Sequence, residues 1–387
     1  MVVALSVVLT LVFLLAGAAS SRLVRRRAHR LQSSSADRPE RVHRLQRLLL
    51  TVLWCGAVGF GVLGGGAGAM AGLVRRRHES PVWAVLPAAA ALVAFGVVMF
   101  VGGRAVRHAI AHVRGTSTST PGRRRQVLAG VAVGLLWGAA IATANLLVPR
   151  HGVAHALWLV AVYVVGLFVL TSVVAPLLIV RIASRPLDRD IAQRLHRLAA
   201  EAGVRVRSFR VLDSRGQKVA NAMQLGTLPG LRYVLLTDYL LDHLPEREVD
   251  AVVAHALGHA RRHHLAIKLA AVAAVWAVLE VAVFAAKAAV GHGPAALLVA
   301  PIFLAIPLGI VLTQGLVGIR LEEAADDQAV ELVGAPELAD ALSRIGELND
   351  TKRDTGRTWA LLTQHPGLEK RLRRLRRSGR RGGTAPA

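Results

Sequence analysis

Residues Pro245–Lys268 read PEREVDAVVAHALGHARRHHLAIK, and this stretch decides how the rest of the chain is read. It predicts one helix. Pro245 suits a first helical position, and Glu246 and Glu248 put negative charge at the positive end of the helix dipole. Val249, Val252, Val253 and Ala256 recur at i, i+3, i+4 and i+7, a stripe that faces a core. His255 and His259 stand four residues apart, so both imidazoles project from one face, one turn apart. That spacing lets two neutral ring nitrogens share one zinc ion.

The spacing is that of HExxH, the helical zinc motif whose second residue, a glutamate, is the general base. Here the motif reads HALGH and the second residue is Ala256. The metal-binding half of the pattern is present and the proton-handling half is absent, because a methyl group accepts no proton.

The 387 residues carry a net charge of +24 and are 53% hydrophobic. Both extremes coexist because they are segregated. Apolar runs of about twenty residues alternate with short arginine-rich loops, the pattern of a multi-span membrane protein. The arginines cluster at span ends, which argues against a nucleic-acid surface. Cys55 is the single cysteine, so no internal disulfide framework exists.

Seven spans are expected, at about Val2–Ala19, Leu48–Leu73, Val82–Val101, Val127–Val148, Ala156–Val180, Leu265–Val290 and Ala295–Ile319. The first is read as an uncleaved span and not a signal peptide, because its basic residues, Arg25–Arg27, follow the apolar run. Residues 20–46 and 104–126 read as basic linkers, with a flexible Thr116–Thr120 run. Their arginines put the N-terminus outside and the polar segments 181–264 and 320–387 in the cytoplasm of a plasma membrane. Arg75–Arg77 sit on the opposite side in this arrangement.

Between the fifth and sixth spans, Pro186–Ala202 reads as an amphipathic helix stopped by Gly203. Val204–Leu212, Val219–Leu225 and Tyr233–Leu236 read as strands, and Thr237 or Asp238 caps a short helix after them. With no Gly or Pro before Gly291, the HALGH helix is expected to run on into the sixth span. Within that span, Lys268 and Lys287 lie near the ends and Glu280 lies deep, an ion-pair candidate. Arg320 to Ala329 continues the seventh span as helix, short polar helices follow, and Ser378–Ala387 reads as disordered.

A catalytic zinc site takes a third protein ligand and keeps one position open. Glu322 and Glu323 follow the seventh span, and His255 and His259 precede the sixth. The two spans form a hairpin, so their cytoplasmic ends meet. His263 and His264 are competing ligands, more readily read as basic residues at the membrane interface.

These residues resemble the membrane zinc metallopeptidases of the HtpX and CAAX-prenyl-endoprotease type. Four patterns agree in order over about residues 185–375: Asn221-Ala222, Glu248 through His259 except Ala256, Glu322/Ala325/Asp326/Ala329, and His365-Pro366 with Arg371. The resemblance implies one Zn²⁺ held by His255, His259 and Glu322, with Glu322 favoured because Ala325 and Asp326 follow it at +3 and +4. Arg320, three residues before Glu323, fits the other choice. It further implies that Asp326 orients a histidine ligand, that the strand opening at Asn221 and Ala222 receives an extended peptide, and that His365 and Arg371 serve the transition state or the structure.

The expected protein is mostly α: a multi-span integral membrane protein with a cytoplasmic zincin-like α+β module split around the last transmembrane hairpin. Its parts are an N-terminal membrane region (1–181), two pieces of the peptidase module (182–264 and 320–377) flanking the hairpin (265–319), and a tail (378–387). Its partners are a polypeptide and the bilayer, with no nucleic acid. With Ala256 in place of glutamate, little or no turnover is expected, since a positioned base is worth about 10²–10⁴ in rate. The surroundings of Ala256 fit catalysis, which suggests an introduced or recent loss. The alternative is a non-catalytic zinc-binding membrane sensor or peptide-binding pseudo-peptidase, of which antibiotic sensors of the BlaR type are one example. A transporter is a distant third.

Overall fold

The structure is a computed structural model and describes residues 21–51, 103–117, 153–290 and 300–382, with the single positions 19, 124, 125, 128, 129 and 132. The first four expected spans lie wholly or largely outside these residues. The chain divides into two compact units, Met1–Thr116 with Val281–Gly309, and Ser117–Glu280 with Ile310–Ala387.

In the first unit the expected basic linkers are helices, over 21–32, 38–51 and 103–114. Ala28, Leu45, Val106 and Ala109 form a small buried cluster there. Apolar residues at helical spacing, hidden among the arginines, are what make these segments fold.

The second unit opens with α1 (Val153–Val169), a π-helical turn at Leu170–Val174, and α2 (Ala175–Ala183). Val164–Ala183 is the one stretch among the described residues that is long and apolar enough to cross a membrane, with a mean hydropathy of 2.3. His264–Val278 is a shorter apolar helix.

A four-stranded sheet follows, in the order β1 (Ser184–Pro186), β2 (Ser208–Leu212), β4 (Tyr233–Thr237), β3 (Ala222–Leu225). β4 runs parallel to β2 and antiparallel to β3, with Ala222 opposite Leu236 and Leu225 opposite Tyr233. Every residue of β4 is buried, as a central strand with both faces covered requires. β1 was not expected. It takes the residues Ser184 to Pro186, and a proline is tolerated there because β1 is an edge.

The helix expected from Pro186 therefore begins later, as α3 (Arg189–Glu201), capped by Asp188, whose side chain accepts the Asp190 N–H at 3.0 Å. Gly203 ends it at φ +67°. Thr237 caps α4 (Asp238–His243) as expected.

The HALGH helix is α5 (Glu246–Arg261). Val249, Val252, Val253 and Ala256 are all buried, as their spacing requires. The helix does not run on into the next. Its chain turns at Arg262 and His263, and His263 takes the left-handed conformation at φ +52°. That conformation usually calls for glycine after a helix end. A histidine occupies it here, so no Gly or Pro signalled the break.

α6 (His264–Val290) and α7 (Ala300–Val333) follow, and α7 carries Glu322 without interruption, as expected. α8 (Ala335–Leu348), α9 (Arg357–Thr363) and α10 (Leu368–Gly382) complete the unit. α10 continues through residues expected to be disordered, up to Gly382. α5 lies between the sheet and α8, and α10 packs on α8. Glu248 of α5 accepts a 2.7 Å hydrogen bond from Arg344 of α8, which fixes the register of that contact.

Candidate metal centre

α5 and α7 come close enough to share a site because of Gly258, the glycine of HALGH. A Cβ on Gly258 would lie 2.9 Å from the Ala325 carbonyl oxygen and 3.1 Å from its Cα. Any larger residue would push α7, and Glu322 with it, away from the two histidines.

The structure brings His255, His259 and Glu322 together, with one ligating atom from each within 4.8 Å of the others. His259 Nε2 lies 3.2 Å from His255 Nε2 and 3.2 Å from Glu322 Oε1. His255 Nε2 lies 3.5 Å from Glu322 Oε2. Glu322 is 2% exposed. Its Oε2 has no hydrogen-bond partner, although His365 Nδ1 comes to 3.0 Å outside hydrogen-bond alignment. A buried carboxylate facing two converging imidazole nitrogens, with one oxygen left without a hydrogen-bond partner, is a donor set that a divalent cation would satisfy. Two nitrogens and one carboxylate also match a catalytic zinc site. Glu323 faces elsewhere, and its carboxylate accepts a 2.9 Å hydrogen bond from the Lys370 ammonium.

Around this triad lies a layer of supporting groups. Asp326, one turn along α7, sets a carboxylate oxygen 2.9 Å from His255 Nδ1, on the side of the ring away from Glu322. Arg371 of α10 grips Asp326 with two donors, at 2.6 and 2.9 Å, and its third nitrogen lies 3.8 Å from Glu322 Oε2. Burial opposes the charge on Asp326, yet Arg371 and His255 hold its carboxyl well below the usual range. Burial likewise opposes the charge on Glu322, and the three surrounding histidines outweigh it in the same direction.

His264 was read as an interfacial base and is instead 2% exposed. The turn at His263 swings it inward, and its Nδ1 lies 2.8 Å from His259 Nδ1. Burial and the neighbouring His259 push His264 down to about 4, so it is neutral at neutral pH. His263, which a continuous helix would have placed beside His255 and His259, is exposed. Lys268 does not simply extend toward a membrane surface. Its ammonium donates to the Gln364 side chain at 3.3 Å, next to His365.

Asn221 and Ala222 stand at the start of β3, the edge of the sheet nearest α5. The segment entering that edge is held by Asn349, at the end of α8. Its side chain accepts from the Ala220 N–H at 2.9 Å and donates to the Ala220 carbonyl at 2.8 Å. This two-way clamp from 129 residues away had no signature in the sequence. Ala256 is 3% exposed and packs in the main core.

Residues 186–378 match the model of peptidase family M48. A protease HtpX homolog from Campylobacter curvus (strain 525.92) is 30% identical over 159 residues, 39% of this chain and 54% of that protein. The chain thus spans about half the length of this curated relative. The crystal structure of S. mikatae Ste24p superposes with a TM-score of 0.61 at 14% identity, covering 96% of this chain and 98% of that one. At that identity the likeness concerns the fold.

Proposed function

We propose, from the premise that residues 186–378 belong to peptidase family M48, that this chain is a membrane-embedded zinc endopeptidase scaffold silenced at Ala256. The observation that carries the reading is the buried carboxylate of Glu322, which faces His259 through Oε1 and His255 through Oε2 and leaves Oε2 without a hydrogen-bond partner. These three residues would hold the metal, and the fit of the donor set favours zinc.

Zinc bound there would polarise a scissile carbonyl and acidify a water molecule. The chain's own residues have narrower tasks. Asp326 fixes the ring of His255, and His264 fixes the ring of His259. Among the described residues no strand pairs with the outer side of β3, which would let an extended polypeptide add itself there as a further strand. Arg371 holds Asp326 in its charged state. At position 256, where the motif places the group that takes a proton from water, there is a methyl. The chain therefore holds metal and peptide with little turnover.

The apolar span at Val164–Ala183 and the arginine-rich loops support a multi-pass arrangement in the plasma membrane with the metal facing the cytoplasm. Substrates would then be membrane or unfolded polypeptides. Ala256 itself favours a second reading, a pseudo-peptidase that binds zinc and peptide without cleaving. The deciding experiment compares this chain with Ala256→Glu on casein and on membrane-peptide reporters. Metal-dependent cleavage gained by the variant supports the silenced enzyme. Normal zinc binding with no cleavage leaves the binding protein.

A further inference from the structure

The β3–β4 hairpin turns at Gly226–Arg232, and this turn packs against the apolar helix of the second unit. The Thr227 and Ser172 hydroxyls are buried and lie 2.6 Å apart. Gly226, at φ +80°, sits so close that a Cβ would lie 3.5 Å from the Ser172 carbonyl. Ser172 is the centre of the π-helical turn Leu170–Val174. A local π turn commonly marks a place where a helix serves a function.

That level along the helix is also a boundary. Trp158, Val165, Phe168 and Val169 are exposed, whereas no residue from Leu170 to Val180 is. The exposed apolar surface of this helix therefore ends where the hairpin packs against it.

Arg232 stands at this level and is 4% exposed. Its guanidinium makes one hydrogen bond, to the Thr227 carbonyl at 3.1 Å, and its Nε has no partner. Among the described residues no carboxylate pairs with it. A buried charge without a counter-ion is costly, and structures normally pair it. Arg207 is its neighbour: the Arg207 N–H donates to the Arg232 carbonyl at 2.7 Å, and the exposed Arg207 side chain donates to the Gly230 carbonyl at 3.2 Å. The tip between them, Leu228-Pro229-Gly230, is exposed, and Leu228 is 39% exposed. Two arginines flanking an apolar tip suit insertion among anionic headgroups, with phosphate as the missing counter-ion.

We propose that Arg232 and Arg207 form a receptor for the phosphodiester of an anionic lipid headgroup, seated at the β3–β4 turn beside Ser172. The site rests on the membrane reading above and not on the metal. It ties the free edge of the sheet to the lipid surface, since β3 leads directly into the turn.

The test uses full-length protein, delipidated in detergent, with thermal unfolding followed on adding phosphatidylglycerol, phosphatidylcholine or inorganic phosphate. Recovery of the chain in the membrane fraction checks the membrane reading separately. Phosphatidylglycerol should raise the melting temperature by about 3 °C or more, and phosphatidylcholine should not. Arg232→Met should lose this rise while being at least as stable as the original chain without lipid, because an unpaired buried cation is gone. Arg207→Gln, on the surface, should fold normally and show a reduced rise. An equal rise with inorganic phosphate alone would overturn the lipid source. An unchanged rise in both variants, or an Arg232→Met that is destabilised without lipid while Arg207→Gln keeps the full rise, would make Arg232 a purely structural residue and sink the proposal.

Discussion

His264 Nδ1 and His259 Nδ1 lie 2.8 Å apart, so one of the two nitrogens must carry a proton and the other must accept it. His259 Nε2 faces Glu322 and His255, and a metal bound there requires that nitrogen to be bare. The proton of neutral His259 is then on Nδ1, and His264 accepts it. A neutral His264 is needed for this, in agreement with the downward push that burial gives it. The pair does for His259 what Asp326 does for His255, with an uncharged acceptor in place of a carboxylate.

His264→Phe should keep the packing and remove the acceptor. Zinc affinity measured by chelator competition should fall about 10- to 100-fold, the usual cost of losing a group that orients a ligand. Affinity unchanged within a factor of two would mean that His264 only fills space.

His259→Ala, and Glu322→Ala with Glu323 left intact, should each leave the purified protein without its one zinc. Glu323→Ala should retain it, since that side chain is paired with Lys370 on the outer side of α7. Metal analysis after dialysis separates the outcomes, and zinc retained by Glu322→Ala would reassign the third ligand.

Asp326→Asn strips Arg371 of its two-pronged partner while both sit in a buried setting. Breaking such a pair from one side should cost about 3 kcal/mol in the metal-free protein. Asp326→Asn combined with Arg371→Met should recover much of the loss, because no charge is then left unpaired. Denaturant midpoints in detergent measure both, and a double variant no better than the single would show that the ion pair is not what the core depends on.

Reporter fusions after Arg185 and after Gly291 should report opposite sides of the membrane, the first inside. The expectation follows from arginine placement alone. A fusion after Arg185 that reports the outside would overturn both the orientation and the pool of substrates proposed here.

Much of the centre was legible because its parts repeat at helical spacing or stand one hairpin apart. His255 and His259 declare themselves by a spacing of four, and Glu322 by its place after the span that returns to them. What escaped depended on backbone states that side-chain patterns do not encode. His263 adopts a left-handed conformation normally reserved for glycine, so the end of α5 and the inward swing of His264 gave no sign. β1 runs through Pro186, a residue that lowers any strand reading. The helices at 21–32, 38–51 and 103–114 were hidden by arginine density, which outweighed the helical spacing of Val24, Ala28 and Leu31, of Leu45, Leu48 and Leu49, and of Val106, Ala109 and Val113. Asn349 acts on a partner that only the tertiary fold brings near, and the burial of Arg232 likewise comes from the fold around it.

Ala256→Glu should create metal-dependent proteolysis. Position 256 directly follows His255, so its side chain projects about 100° around the helix from that ligand and displaces neither histidine. Ala256 is 3% exposed, so a carboxylate there meets a desolvation cost, which a nearby zinc charge would offset. That offset makes a second expectation: the variant should be destabilised without metal and recover stability when zinc is added, more than this chain does. The rate gain should be at least about 10², the low end for a positioned base. It should vanish with a chelator and in a His255→Ala background. Gly258 must stay glycine throughout, because the approach of α7 at Ala325 is what keeps Glu322 within reach of both histidines. If Ala256→Glu binds zinc with unchanged affinity and cleaves none of a broad set of unfolded and membrane peptides, the missing base is not what silences the chain. The binding-protein reading would then stand in its place.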